Sequence, residues 1–189
     1  MAAENAPVAI LEILEAPHPV LEAKARPVAE DEFGPELETK LRSMAETMYA
    51  APGVGLAAPQ VGDGRRMLVA DLSKDDSAET ERNGENLILM VNPEIVEREG
   101  RILWEESCLS VPEFSIDVER ARRIKVAYRD PLGARVERWF EEFPAVVIQH
   151  EMDHLEGVTL LDRASRLKRS RYVKQRRKRS RVTEEEFAV

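Results

Sequence analysis

Pro144-Ala145-Val146-Val147-Ile148-Gln149-His150-Glu151-Met152-Asp153-His154-Leu155 is the stretch that decides the architecture. Pro144 suits the first turn of a helix, where its missing N–H is no loss, and Gly157 suits the exit. Val146, Val147, Ile148, Met152 and Leu155 occupy more than one side of that helix, and a helix apolar on several sides is a buried one. Yet it carries His150, Glu151 and His154. Positions i and i+4 lie one turn apart on one face. Two imidazoles and a carboxylate are costly to bury unless a metal ion or hydrogen bonds satisfy them. The pentad His150–His154 therefore reads as part of a metal site, with Glu151 close enough to handle a proton. The plainer alternative is a pair of core histidines bonded to backbone carbonyls. Only three histidines occur in the chain, and two of them are here.

The rest of the chain supplies what such a helix must be buried in. At 189 residues and 43% hydrophobic, one domain with a proper core is expected, filled by aliphatic side chains because aromatics make up only 5%. Leu11–Val28 reads as an extended segment interrupted by Pro17, Pro19 and Pro27. A helix is expected over Pro35–Ala50, with Leu37, Leu41, Met44 and Met48 on one face. Pro52-Gly53 ends it. Strands are expected at Met67–Leu72, Leu87–Val96, Arg101–Trp104, Ile124–Arg129 and Val136–Phe140. The polar stretch of residues 73–86 between the first two reads as a surface loop. Asp130-Pro131-Leu132-Gly133 reads as a hairpin turn. Glu141 and Glu142 complement the dipole of the metal-site helix. The expected fold is α+β: antiparallel or mixed β-sheets packed around a central metal-binding helix, with N- and C-terminal helices. One domain spans 1–182, including a basic helix over about 165–182, and a short acidic tail follows at 183–189.

Two histidines leave a catalytic site one protein ligand short. A carboxylate further along, His18 between two prolines, and Cys108 are the candidates. Cys108 is the strongest, because a thiolate binds divalent metals tightly and adds negative charge. Its setting, Glu105-Glu106-Ser107-Cys108-Leu109-Ser110, is polar, unlike that of a core cysteine. A single cysteine excludes an intramolecular disulfide and fits a reducing compartment. No apolar stretch reaches the roughly 20 residues that span a bilayer, and the first residues lack a basic and apolar leader. A cytoplasmic protein with no membrane partner is expected.

Three ordered motifs carry a close resemblance to the peptide deformylase family. They are Gly53-Val54-Gly55-Leu56-Ala57-Ala58-Pro59-Gln60, Glu106-Ser107-Cys108-Leu109-Ser110, and Gln149-His150-Glu151-Met152-Asp153-His154-Leu155. One departure is visible: the family usually has Gly where Ser107 stands. Gly permits positive φ and close backbone approach, so the shape of the pocket turns on the backbone at Ser107.

The resemblance implies a metal-dependent hydrolase of protein biosynthesis. It removes the N-formyl group of formyl-methionine from newly made polypeptides and releases formate. Cys108, His150 and His154 are the expected metal ligands. Glu151 is the expected proton carrier, and the Gln60 amide with the Leu109 backbone N–H the expected oxyanion donors. Gly55 is expected to let the substrate backbone approach, and Val54, Val146 and Val147 to line the methionine slot. Glu106 is expected to pair with Arg120 and brace the Cys108 loop. The family's usual ion is Fe(II), with Zn(II), Ni(II) or Co(II) able to occupy the site, and thiolate plus two imidazoles suits all of these.

Charge is divided unevenly. Residues 163–181 hold eleven Lys or Arg and no acid, while residues 1–162 hold seventeen basic and thirty-three acidic residues. The basic end suits a polyanion, and the resemblance implies ribosomal RNA. A merely solvated helix is the alternative. Two other functions compete with the deformylase reading. One is an HExxH metallopeptidase. The other is an RNA-binding module with a structural metal, which would need four protein ligands.

Overall fold

The computed structural model describes residues 8–72, 84 and 86–186. The expected loop over residues 73–86 therefore lies almost wholly outside the described residues, as does the end of the acidic tail.

Helix α1 (Pro35–Ala50) begins at Pro35, after Gly34 as its N-cap. Leu37, Leu41, Met44 and Met48 are each at most 2% exposed. Their spacing builds the apolar stripe that faces Leu56, Met67, Val69 and Val91. Those residues come from a five-stranded antiparallel sheet in the order β1-β2-β3-β6-β7. Its strands are β1 (Gly55–Ala57), β2 (Met67–Asp71), β3 (Leu87–Glu99), β6 (Arg123–Arg129) and β7 (Arg135–Glu141). A separate two-stranded ribbon pairs β4 (Ile102–Cys108) with β5 (Val111–Arg120).

Helix α2 (Phe143–Leu155) is the expected central helix. Ala145, Ile148, Met152 and Leu155 pack on Leu68, Met90, Ile124, Val126 and Phe140 of the large sheet. Side chains of this size contribute about 1.5–3 kcal/mol each when fully buried, so the sheet fixes the rotation of α2 and thereby where its histidines point. Gly157 closes the helix at φ 72°. A Cβ there would also meet the Glu22 carbonyl oxygen at 2.6 Å, so the exit accepts no other residue without movement. Glu141 and Glu142 do not cap α2. Their carboxylates pair with Arg123 and Arg122 instead, and Glu142 is the N-cap residue through its backbone alone.

The β6–β7 turn is the expected one: Asp130 Oδ1 accepts the Leu132 and Ala134 N–H groups at 2.9 Å each. Differences arise elsewhere. β4 runs on to Cys108 rather than stopping at Trp104, and β5 was not anticipated. In β5, Ile116, Val118 and Arg120 are buried and alternate with exposed Ser115, Asp117 and Glu119. That period-two pattern is masked in sequence by Pro112 and by an arginine serving as an inward-facing residue. β1 is three residues long, too short for any periodicity. The N-terminal segment is extended apart from a 3-10 turn at Pro19–Glu22. It is tied down by Asn92, whose amide exchanges two hydrogen bonds with the Val28 backbone at 2.8 and 2.9 Å. After a single turn α3 (Leu160–Arg163), helix α4 (Arg166–Glu186) continues four residues past the expected Val182. No described helix is long and apolar enough to cross a membrane.

Candidate metal centre

Packing of α2 against the sheet turns His150 and His154 toward the β4–β5 ribbon, one turn apart with ring centroids 5.2 Å from each other. Cys108 is the last residue of β4, just before the turn Leu109-Ser110. Its Sγ lies 3.2 Å from His154 Nε2. One ligand atom from each of Cys108, His150 and His154 falls within 4.8 Å of the others. A single ion bonded at about 2.0–2.3 Å can bridge such a set. Among the described residues no further His, Cys, Asp or Glu joins the group. His18 lies apart, accepting the Val20 N–H at the start of the Pro19–Glu22 turn.

The donor set fits a divalent cation electrostatically. Burial, then His150 and Arg120, push His154 well below the usual histidine range, which keeps its imidazole neutral and able to ligate. Its Nδ1 is buried with no hydrogen-bond partner among the described residues. At His150 burial opposes a charge. The Cys108 thiol and the Glu106 and Glu151 carboxylates outweigh it and favour positive charge at this point. A cysteine sulfur, imidazoles and surrounding carboxylates are the environment of a bound cation.

Behind His150 stands Glu106. Its Oε2 is 2.8 Å from His150 Nδ1, which leaves Nε2 as the ring nitrogen available to the Cys108 side of the site. Arg120 clasps the same carboxylate through Nε and Nη2 at 2.7 and 2.8 Å. Burial would raise the Glu106 pKa, but Arg120 and His150 prevail and hold it at about 2. The expected Glu106–Arg120 pair is thus present, and its carboxylate also meets His150. Arg120 also donates Nη1 to Asp153 at 2.6 Å. Asp153 was not singled out from sequence. It lies inside the pentad but faces away from the ligands, and helix spacing alone assigns it no partner.

Glu151 is 4% exposed, and burial pushes its pKa up to about 7. Its Oε2 has no hydrogen-bond partner among the described residues. Gly55 makes room for it: a Cβ at Gly55 would stand 2.5 Å from Glu151 Oε1. The place a side chain at Gly55 would take is thus occupied by the carboxylate, a constraint beyond the expected approach of a substrate backbone. Gln60, 1% exposed, accepts the Ala57 N–H through Oε1 at 2.8 Å. Its Nε2 is thereby turned toward Cys108 Sγ at 3.7 Å and Ser110 Oγ at 3.2 Å. Bonding within its own loop and facing the site are therefore one arrangement. Ser110, fully buried, was a further residue missed in sequence.

Cys108, His150, Glu151, Gln60 and Glu106 line one cleft of about 440 Å³. Val54, Val146, Val147 and Leu109 form its apolar wall, as do Trp104 and Phe143, whose rings lie 5.7 Å apart. Neither aromatic was a sequence candidate; Trp104 had been placed at a strand end and Phe143 just outside the helix. Ser107 also lines the cleft, in β4 opposite Ser115, and it is not among the positive-φ residues. The backbone there needs no glycine, so serine adds a hydroxyl at the wall and no strain.

Comparison with known proteins agrees with this geometry. Residues 10–170 match the family described as polypeptide deformylase. A peptide deformylase of Phenylobacterium zucineum is 45% identical over 172 residues, covering 90% of this chain and 97% of that protein. The crystal structure of a peptide deformylase from Legionella pneumophila superposes with a TM-score of 0.81 at 38% identity, over 93% of this chain and 98% of the other. A Met-Ala-Ser-bound class I type b peptide deformylase from Acinetobacter baumannii gives 0.75 at 36% identity, over 84% and 100%. By fold, by site and by descent, this chain belongs to the peptide deformylase family.

Proposed function

We propose that the protein hydrolyses the N-formyl group of nascent polypeptides that begin with formyl-methionine, giving formate and a free amino terminus. The observation that carries this reading is the convergence of Cys108, His150 and His154 on one point, with Cys108, His150 and Glu151 lining a cleft that has an apolar wall.

Cys108, His150 and His154 are the residues that would hold a divalent ion. Bound there, it supplies Lewis acidity, polarising the formyl carbonyl and lowering the pKa of water. The remaining work belongs to side chains. Glu151 takes a proton from the attacking water and returns one to the leaving amine. Gln60 Nε2 and the Leu109 N–H donate to the oxyanion. Strand β1 is the outer strand of its sheet, so its free edge at Gly55 suits a substrate main chain laid down as an added strand. Val54, Val146 and Val147, with Trp104 and Phe143, receive the methionine side chain. The Met-Ala-Ser held by the Acinetobacter baumannii relative is the deformylated form of such a substrate.

Ferrous iron is the ion we assign, by resemblance to the family, with Zn(II), Ni(II) and Co(II) as substitutes. The deciding experiment is formate release from formyl-Met-Ala-Ser by anaerobically purified, Fe(II)-loaded protein, beside Cys108→Ala. Release by the first and none by the second is expected. Cleavage of unformylated peptides with no formate would turn the reading to an HExxH metallopeptidase.

Helix α4 serves a second role in this proposal. Arg166, Lys168, Arg169, Arg171 and Lys174 are exposed around it, and the proposed partner of the cytoplasmic enzyme is the ribosome, through RNA phosphates. Ribosome association is expected to weaken steeply with salt and to vanish on truncation after Arg163. Binding unchanged by that truncation would refute this role and leave the hydrolase reading intact.

A further inference from the structure

We infer that Asp153 is a positioning residue for the metal centre, acting through Arg120 and Glu106 on the His150 ring. The inference rests on the reading that Cys108, His150 and His154 hold a divalent ion.

Asp153 follows His150 by three residues on α2 but turns to the rear of the helix. There Arg120 and Asp153 line a groove of about 620 Å³ that lies across α2 from the catalytic cleft. Asp153 Oδ2 accepts Arg120 Nη1 at 2.6 Å and Arg163 Nε at 3.0 Å, and its Oδ1 accepts Arg163 Nη2 at 2.6 Å. Arg120 is gripped at both ends, by Asp153 on one side and bidentately by Glu106 on the other. Glu106 then meets His150 Nδ1. The contacts form a closed ring that leaves α2 at Asp153, crosses the ends of β5 and β4, and returns to α2 at His150.

Two physical consequences follow. A guanidinium is planar, so anchoring Nη1 fixes the plane in which Nε and Nη2 present the fork to Glu106. Glu106, so held, can direct its Oε2 only along one line toward the imidazole. The second consequence is one of charge. With Glu106 as its sole partner, Arg120 would draw electron density from the carboxylate that His150 leans on. The Asp153 carboxylate shares that cation and leaves Glu106 a better acceptor for Nδ1–H, which makes the ring a stronger donor at Nε2. Burial keeps these effects from being screened: the Glu106 and Arg120 side chains are each 4% exposed, and Asp153 is 19%. Arg163 is 39% exposed and holds the rim only.

A purely mechanical role is the competing account, in which Asp153 merely staples α2 to β5 and α3. Metal affinity separates the two. Zn(II) affinity is measured by chelator competition on the full chain, and Co(II) absorption reports the ligand field. Asp153→Asn is expected to bind Zn(II) about tenfold more weakly and to shift the Co(II) bands. Arg163→Gln loosens the same corner but keeps the Asp153–Arg120 contact, and is expected to bind as wild type. Should Asp153→Asn alone not fold, Asp153→Asn with Arg163→Gln removes the rim cation left over and carries the same expectation. Wild-type affinity and spectrum in whichever Asn variant folds would overturn the inference. Failure of the wild type itself to take up one ion per chain would instead overturn the metal reading beneath it.

Discussion

Helices α2 and α4 use opposite means to stay helical in one small protein. In the 13 residues of α2, nine are buried, and the polar ones among them have places made for them by neighbouring elements. Gln149 is bonded on both ends of its amide to Ala121, and Glu151 sits in the space that Gly55 vacates. Among the described side chains of α4, Tyr172 is buried, while residues 166–171 are exposed. The helix's described contacts include Tyr172 edge-on to Phe114 at 5.3 Å, Arg169 to Asp162 at 2.6 Å, and Arg176 to Glu15. One helix is positioned by the whole fold and does chemistry. The other is pinned near its start and offers charge. Substitutions around α2 should therefore cost turnover, and substitutions on α4 should cost docking and leave turnover alone.

The largest expected effect tests the α2 half. Glu151→Gln keeps the shape and the three metal ligands but cannot carry a proton. Formate release should fall on the order of 10²–10⁴-fold, with one ion per chain retained by metal analysis. A metal-loaded variant turning over normally would remove Glu151 from its proposed role. Gln60→Ala comes next. It deletes the amide whose orientation the Ala57 N–H fixes, and a loss of about 10²–10³ in turnover is expected. An effect on KM alone would mean that Gln60 binds substrate and leaves the oxyanion to other donors.

Gly55→Ala tests the arrangement that the structure revealed. The new methyl would meet Glu151 Oε1 at 2.5 Å, so the carboxylate must shift. A displacement of about 1 Å at a reacting group can cost 10²-fold, and that loss in kcat is expected here. Were Gly55 needed only for substrate approach, KM would rise and kcat would hold.

How much of this was legible in the chain depends on where each signal is written. The α1 stripe, the α2 pentad and the Asp130–Gly133 turn are local patterns, and the fold uses them as they stand. Cys108 stands out by the chemistry of its sulfur and its polar setting, Gln60 only through motif resemblance, and His18 is weakened by its proline neighbours. The harder features are relations between distant segments. Glu106–Arg120–Asp153 joins two strands and a helix, and no spacing within any of them announces it. β5 hides because Arg120 occupies an inward position that sequence patterning reserves for apolar residues. The steric demand of Glu151 on Gly55 is visible only once the two stand side by side.

The smallest effect on turnover, and the sharpest test of the contrast between the helices, is Tyr172→Ala. Tyr172 shares an apolar cluster with Val111, Ile116, Val118, Leu160 and Leu161, and Cys108 lies in the same cluster. Truncating a large buried aromatic costs about 3–5 kcal/mol in a closed core. At this edge, where α4 can swing away and water can enter, about 2 kcal/mol is expected, read by denaturant unfolding. Formate release from a short formyl peptide should stay at the wild-type rate, because Glu106, Arg120 and α2 hold the Cys108 ribbon from the other side. If turnover fell with stability, the ribbon would depend on α4 for its position. The two helices would then be one mechanical unit, and a partner seated on α4 would have a route to the metal ligands.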